Sequence, residues 1–571
     1  MDALQAVAIA RLHSLRRSLA SLILLLAFGV TSCTAPGEES SGAPATAVVG
    51  TPVVSADGAS LGTVAFPTSC PAVQVELERG LALLHHMNYV NAESVFRAAA
   101  EADPECALAH WGVAMTYVHP LWPDTISADR RAAGEQSLAT AAAAAHTSER
   151  EAAYVSALAA YYEGAERSER DRLESYLTQW RAVHAAHPDD TEAALFHALA
   201  LLANAPAEDK TYEKQLRAGE ILTEVLARIP RHPGAHHYTI HAYDFPPLAE
   251  RALDIARRYD DLAPENTHAL HMTSHIFTRR GLWPESIEFN RRAAAAAAAR
   301  TPSGAVSIHH LHALDYLAYA YLQQADDEAA KALLAALEAL EPPFQNHAAT
   351  AYAFAAVPSR LALERHDWEE ATAVAIRWPA EVDWDQYPYL DAIPYFARAM
   401  GAARTGRPQR AQAAILELKR LEEAAGELDV AYDWGIQVGI QRVAAEAWAA
   451  FESGDADRGL GLAEQAAEME ATTEKNPVTP GEVLPAAELY GDMLRAAERY
   501  SEAIEAYEVA LVRSPNRFNS LFGAARAAEL AGDPEAARGF YQQLLEICPA
   551  PTGDRPELAH AREFLASAHT T

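Results

Sequence analysis

The sequence GLALLHHMNYVNAESVFRAAAEADP occupies residues 80–104, and GDMLRAAERYSEAIEAYEVALVRSP occupies residues 491–515. Both stretches carry glycine, alanine, an aromatic residue, alanine and proline at successive offsets of 12, 4, 3 and 5 residues. These positions are Gly80, Ala92, Phe96, Ala99 and Pro104, and Gly491, Ala503, Tyr507, Ala510 and Pro515. Small residues let two helices approach closely, the aromatic side chain fills the space between them, and proline ends the second helix. The pattern predicts a helix–turn–helix unit that recurs along the chain.

The pattern resembles the tetratricopeptide repeat (TPR), a 34-residue helical hairpin. Longer phrases resemble a family of bacterial TPR lipoproteins of the cell envelope: HHYTIHAYDFPPLA at 236–249, HALHMTSHIFTRRGLWPESIEFNRRAA at 268–294, DYLAYAYLQ at 315–323, DPECALAHWGVAM at 103–115 and SPNRFNSLFGAARAAELAGD at 514–533. The resemblance implies an all-α solenoid wound as a right-handed superhelix and a location in the cell envelope. It implies no particular reaction.

Composition supports a helical exterior in water and excludes some classes of partner. Half of the 571 residues are hydrophobic, and 46 basic against 78 acidic residues give a formal net charge of −32. Such a charge argues against nucleic-acid binding, which needs a basic face. It equally disfavours docking on anionic lipid, so we expect contact with a membrane only through a covalent lipid anchor.

The N-terminal segment 1–33 is interpreted as a signal peptide. Arg11, Arg16 and Arg17 precede the mainly apolar run 19–30, and Val30-Thr31-Ser32-Cys33 follows. These last four residues resemble the bacterial lipobox, which implies lipidation of Cys33 and attachment to the outer membrane, facing the periplasm. The alternative is an ordinary secretory signal with an incidental cysteine.

The remainder of the chain divides by composition into four parts. Residues 34–68 are rich in Ser, Gly, Pro and Ala, and are predicted to be a flexible linker. Residues 69–378 are predicted to be an N-terminal TPR-like solenoid, residues 379–471 middle helical repeats, and residues 472–571 C-terminal TPR repeats with a cap. The stretch 472–482, with Asn476-Pro477 and Pro480-Gly481, is predicted to be a loop.

Three cysteines follow Cys33. Cys70 and Cys106 lie 36 residues apart, about one repeat, just before helices that are expected to stack as neighbours. In an oxidising compartment these two residues are candidates for a disulfide, the alternative being two free thiols. Cys548 has no evident partner.

Histidines are concentrated in one part of the chain, with ten of the 23 between His232 and His312. His237 and His241 are spaced i,i+4 with Asp244 on the same helical face. His268, His271 and His275 share a face of the first helix in the next helical pair. His309 and His312 precede Asp315 and Tyr319 on a third. Since His237 and His271 are 34 residues apart, we expect these faces to lie side by side along the concave groove.

Three interpretations of this histidine belt remain open. In the first, His237, His241, His271, His275 and His312 bind a divalent metal ion, and a metal-bound water with Asp244 or Asp315 as base would make such a site hydrolytic. In the second, the groove recognises a protein, peptide or small molecule through His237, His241, Asp244, His268, His271, His275, His312, Asp315 and Tyr319. In the third, the histidines only fill space between helices.

The sequence therefore favours an envelope-anchored scaffold that binds a partner in the groove, with no residue assigned to catalysis. The alternatives are a metal-binding protein, hydrolytic or redox, and a structural assembly subunit that uses its outer surface.

Overall fold

The computed structural model describes residues 50–122, 126–299 and 304–567. Within these residues the chain is an all-α, TPR-like solenoid with one short β-hairpin. The α-helices are α1 (Gln74–His85), α2 (Tyr89–Ala102), α3 (Ala107–Met115), α4 (Ala128–Ala143), α5 (Glu149–Tyr162), α6 (Glu169–Ala186), α7 (Thr191–Ala203), α8 (Glu213–Arg228), α9 (Pro233–Tyr243), α10 (Leu253–Leu262), α11 (Thr267–Arg279), α12 (Trp283–Ala298), α13 (Ile308–Gln323), α14 (Asp327–Glu338), α15 (Ala348–Glu364), α16 (Trp368–Ala373), α17 (Pro388–Arg404), α18 (Pro408–Gly426), α19 (Trp434–Glu452), α20 (Ala456–Ala471), α21 (Ala486–Ala496), α22 (Tyr500–Arg513), α23 (Phe518–Ala531), α24 (Pro534–Ile547) and α25 (Pro556–Ser567).

Consecutive helices pack as antiparallel pairs, and the first helices of successive pairs lie beside one another. Helices α9, α11, α13 and α15 form such a row, and α10, α12, α14 and α16 are their partners. Local sequence sets the starts of these helices: Asn266 caps α11 and Ser307 caps α13, each by accepting a hydrogen bond from a backbone N–H of the first turn.

The repeat pattern acts through close approach of helices. The ring of Phe96 lies against both Gly80 and Gly112, and a Cβ atom on either glycine would overlap it. Tyr507 lies in the same way between Gly491 and Gly523, at the other end of the chain. Phe96 and Tyr507 are fully buried, so each repeat uses its aromatic residue to join one helical pair to the next.

Part of the predicted linker is folded. Strands β1 (Thr51–Val54) and β2 (Ser60–Val64) form an antiparallel hairpin, and β2 contacts α1, α9 and α10. Val64 and Phe66 are buried against the first helices. The linker prediction is therefore wrong for residues 51–66, because these few apolar side chains find a helical surface that composition alone does not reveal. Cys33 and residues 34–49 lie outside the described part.

Cys70 and Cys106 are joined by a disulfide with their Cα atoms 5.7 Å apart. The bond ties the segment before α1 to the start of α3, across the first helical pair. Cys548 is a free, buried thiol.

The C-terminal repeats pack back onto the middle of the chain. Arg517, at the start of α23, forms buried ion pairs with Glu364 of α15 and Glu488 of α21. Arg555 forms a buried ion pair with Asp327. The guanidinium of Arg555 contributes to this internal interface, and α25 follows it as the last of the described helices.

The segment between α20 and α21 has no regular secondary structure, as the sequence predicts. Residues 473–484, here called the inner segment, lie against the row of first helices, and most of them are buried. None of the helices described is long and apolar enough to cross a membrane.

Candidate functional site

Six of the belt histidines come together on the row of first helices, and these six are called the histidine cluster. His237 and His241 project from α9, His268, His271 and His275 from α11, and His312 from α13. They form two triads, in each of which one ring nitrogen per histidine lies within 4.8 Å of the others: His237, His241 and His268 in the first triad, and His271, His275 and His312 in the second.

The first triad converges on the Nε2 atom of His237. His241 Nε2 lies 3.1 Å from it and His268 Nε2 lies 3.2 Å from it. The Nδ1–H group of His237 donates to the backbone carbonyl of His85 at 2.7 Å. This bond leaves Nε2 of His237 as an unprotonated lone pair in the neutral ring, directed at the other two histidines.

The second triad has its ring orientations set by two polar side chains. His271 Nδ1 donates to Asn290 Oδ1 at 2.7 Å, and the amide nitrogen of Asn290 is used by the Ser286 carbonyl, so its oxygen faces the ring. His275 Nδ1 donates to Asp244 Oδ2 at 3.0 Å. The rings of His271 and His312 lie with their centroids 4.2 Å apart.

These contacts place two lone pairs face to face. The Nε2 atoms of His271 and His275 are 3.0 Å apart. The Nδ1–H group of each ring donates its hydrogen to a different acceptor, Asn290 or Asp244. Two neutral rings held in this way have no hydrogen to share between the Nε2 atoms, so their contact is repulsive unless a proton or a cation lies between them. Two nitrogen ligands of one zinc-like ion lie about 3.0–3.4 Å apart. The spacing therefore fits ligands of a common cation.

Burial keeps five of these histidines in the neutral form that binds metals. It lowers the pKa of His237 to about 3, and it holds the pKa values of His241, His268, His271 and His312 well below the ordinary range. Neighbouring histidines add to the effect. These five rings are therefore uncharged at neutral pH.

A small cavity borders both triads. It is lined by His241 and His268 of the first triad, by His275 and His312 of the second, and by Met87, Leu121, Trp122, Met272, Pro477 and Val478. Its volume is about 10 Å³. That is the room of one water molecule, and no larger ligand fits without movement of the walls.

Asp244 is the polar hub beside the second triad. Its Oδ2 accepts from His275 Nδ1 and from Lys475 Nζ, both at 3.0 Å, and its Oδ1 accepts from Arg279 Nε at 3.0 Å. Both oxygens are thus engaged. Asp244 therefore orients a histidine and does not serve as the free base that the hydrolytic interpretation assigned to it.

The inner segment is held by side chains that bind its backbone. Tyr316 donates to the Thr479 carbonyl at 3.2 Å, and Arg360 donates to the carbonyls of Gly481 at 2.8 Å and Glu482 at 2.7 Å. Buried irregular backbone needs such partners, since it has no helix or sheet to satisfy it. These bonds explain how twelve residues without secondary structure are accommodated inside a solenoid.

The expectation of an open groove at the belt needs correction. His237, His268, His271, His275 and His312 are all buried, because the inner segment covers the face that they share. Only His241 is partly exposed. A partner could reach this face only by displacing residues of the chain itself.

Two predicted belt residues lie outside the cluster. Asp315 is buried beside Arg360, with its Oδ1 atom 3.5 Å from Arg360 Nε, and burial raises its pKa to about 6. The Tyr319 hydroxyl lies 3.4 Å from Arg517 Nη1. Tyr319 thus contacts the C-terminal repeats through Arg517, whereas neither carboxylate oxygen of Asp315 has a hydrogen-bond partner among the described residues.

The metal interpretation drawn from the sequence omitted His268, and none of the interpretations included Asn290, Arg279 or Lys475. His268 shares the face of His271 and His275, but its ring turns to the preceding helix. Arg279 follows His275 at i,i+4, a spacing that could have indicated it. Lys475 is 231 residues from Asp244, and no local pattern relates the two.

A third group, His85, Glu192 and His232, is fully buried nearby. Glu192 accepts from His85 Nε2 at 2.7 Å and from His232 Nε2 at 2.9 Å. Each carboxylate oxygen thus already has an imidazole partner. This group is a hydrogen-bonded network that supports α1, whose His85 carbonyl orients His237.

Comparison with known proteins bears on the repeats. A family model described as tetratricopeptide repeat matches residues 444–518 and 491–550, from the second half of α19 to the end of α24. The chain is similar to the crystal structure of yeast Tom70, with 12% identity over 87% of this chain and 96% of that one, and a TM-score of 0.28. It is similar to the structure of Naa15/Naa10 bound to HypK-THB, with 12% identity over 83% and 70% of the two chains and a TM-score of 0.23. At TM-scores this low, neither likeness informs the function. No curated protein sequence matches the chain significantly.

Proposed function

We propose that this TPR-repeat protein binds a transition-metal ion in its histidine cluster. One observation carries the proposal: the facing Nε2 atoms of His271 and His275, each in a ring whose Nδ1 donates to a fixed acceptor. Histidine ligands of metals characteristically donate their other N–H group to a carboxylate or carbonyl oxygen, and Asp244 and Asn290 supply such oxygens here.

The donor atoms indicate the class of ion. Each triad offers imidazole nitrogens and no carboxylate, which suits zinc, copper, nickel or iron and disfavours magnesium and calcium. Three histidine ligands leave a coordination position for a small exogenous ligand, as in catalytic metal sites. The proposal does not extend to a named reaction.

Elemental analysis tests the proposal. The full-length protein is purified without an affinity His tag, and its metal content is compared with that of a His271→Gln/His275→Gln variant and a His146→Gln/His187→Gln control. His146 is exposed and His187 is half-buried, and both lie outside the cluster. We expect bound zinc or copper in the wild type and the control, and a lower metal content in the cluster variant, which lacks two ligands of the second triad.

A folded wild-type protein that retains no metal after incubation with zinc, copper, nickel and iron salts would overturn the proposal. In that case the histidines serve only to fill space between the helices. Circular dichroism of each variant separates loss of ligands from loss of fold.

We further propose export and lipid attachment through Cys33. The segment 1–33 and the lipobox-like residues before Cys33 support this, and a disulfide at Cys70 and Cys106 is compatible with an oxidising compartment. Expression in a bacterial host with labelled palmitate tests it. Label should appear on the wild type and not on Cys33→Ala, and label on both proteins, or on neither, contradicts the proposal.

A second candidate function is peptide binding on the first-helix face, the role that the sequence favours. The bonds from Arg360 to backbone carbonyls of the inner segment support it, since they would serve any extended peptide. The test replaces residues 473–484 with a Gly/Ser linker of equal length and titrates a synthetic peptide of that sequence. Saturable binding that is lost with Arg360→Met supports this function, and its absence in a folded variant contradicts it.

A further inference from the structure

The two triads are copies of one arrangement. Each consists of two histidines at i,i+4 on one first helix and a third from the next first helix in the row. His237 and His241 are each followed 34 residues later by His271 and His275, which is the length of one repeat. The repeat therefore generates the same three-nitrogen group twice, on adjacent helices.

In each triad, groups that are not themselves members of the triad orient histidine rings by hydrogen bonds. The His85 carbonyl holds His237 in the first triad, and Asn290 and Asp244 hold His271 and His275 in the second. The Nε2 atoms within each triad are 3.0–3.2 Å apart where they face one another. The ring nitrogens of each triad converge on a point of their own. One ion therefore cannot occupy both points.

The two triads are neighbours and border the same small cavity. The ring centroids of His241 and His275 are 6.1 Å apart, and those of His268 and His271 are 6.4 Å apart. Histidines of both triads line the cavity, which has the room of one water molecule. An open coordination position on each side would meet the same small ligand.

From this arrangement the geometry points to a two-ion centre: one transition-metal ion in His237, His241 and His268, a second in His271, His275 and His312, and a water-sized ligand in the cavity between them. The inference rests on the proposed metal-binding function and gives it a stoichiometry. Paired ions that share a small ligand are a recurrent arrangement in metal-assisted chemistry.

Titration of the metal-free, full-length protein with Zn(II) measures the stoichiometry. We expect two equivalents for the wild type and for His146→Gln/His187→Gln. We expect one equivalent for His237→Gln/His241→Gln and one for His271→Gln/His275→Gln, because each pair dismantles one triad. A single equivalent in the wild type overturns the two-ion centre but leaves metal binding intact, whereas no binding overturns the proposed function itself.

Loading the wild type with two equivalents of Cu(II) tests the shared cavity without any variant. Electron paramagnetic resonance should show a signal broadened or cancelled by coupling between the ions. Two magnetically isolated signals of full intensity overturn the shared cavity even at a stoichiometry of two. The wild-type measurements decide the question if a variant fails to fold.

Discussion

Lys475 Nζ lies 3.0 Å from Asp244 Oδ2, and this contact joins two residues that are 231 positions apart. Both side chains are buried, and the same carboxylate oxygen accepts from His275. The ion pair thus connects the inner segment to the residue that orients a histidine of the second triad. We therefore expect loss of Lys475 to lower the stability of the protein and to weaken metal binding at the candidate site.

Lys475→Met keeps most of the aliphatic stem and removes the ammonium group. Asp244 retains Arg279, so we expect the free energy of unfolding to decrease by about 1.5–3 kcal/mol, the value of a hydrogen bond to a charged group. Urea denaturation measures it. Lys419→Met, at an exposed position, is the control and should change stability by less than about 0.5 kcal/mol. Equal effects of the two substitutions would contradict the structural role of the pair.

Asn290→Leu removes the acceptor of His271 Nδ1 while leaving all six histidines in place. Contacts that orient metal ligands are worth about 10–100-fold in affinity, so we expect zinc affinity to weaken by that factor. Competition with a chromophoric chelator measures it. Asn204→Leu, at another asparagine that bonds helical carbonyls, is the control. Unchanged affinity in Asn290→Leu would show that this bond is only structural.

Gly112→Ala introduces a Cβ atom into the space that the Phe96 ring occupies. We expect a loss of about 1–3 kcal/mol in the free energy of unfolding, because a well-packed site tolerates added volume poorly. Gly539→Ala makes the same change in a helix at a position with open space around it, and should be neutral or stabilising by up to about 1 kcal/mol. Thermal and urea denaturation of both variants check the contrast, and a Gly112→Ala protein as stable as the wild type would contradict the packing argument.

The disulfide between Cys70 and Cys106 closes a loop with a sequence separation of 36 residues. A Cys70→Ala/Cys106→Ala variant should lose about 3–4 kcal/mol of unfolding free energy, largely because its unfolded chain is less restricted. Reductant should weaken the wild type and Cys548→Ala but leave the double variant unaffected. Insensitivity of the wild type to full reduction would contradict the prediction.

Burial lowers the pKa of His86 to about 3 from an ordinary value of 6.5. Between these values the unfolded chain binds a proton at this position and the folded chain does not. The unfolding free energy of the metal-free protein should therefore decrease as the pH drops from 6.5 towards 3, by up to about 1.4 kcal/mol per pH unit for this group. His86→Gln should flatten the pH dependence relative to the wild type and to His146→Gln, and an unchanged slope would contradict it.

The helices could be predicted from sequence because their determinants are local. The repeat pattern at residues 80–104 predicts a helix–turn–helix unit, and α1 (Gln74–His85) and α2 (Tyr89–Ala102) form it. Capping residues, turn glycines and apolar spacing all act within one or two turns of helix. The shared face of His237 and His241, and the register of His271 one repeat later, follow from the same periodicities.

Contacts between distant parts of the chain depend on the superhelical path of the repeats, which periodicity does not encode. The path brings residues 473–484 onto the first helices, buries the histidines, and pairs Lys475 with Asp244. It also places Asp315 beside Arg360 of α15. Repeat spacing alone was sufficient to align the histidines on neighbouring helices. Only the three-dimensional packing brings the histidines together as two triads and covers the face that they share. The reason is that it depends on packing contacts and ion pairs between residues far apart in the sequence.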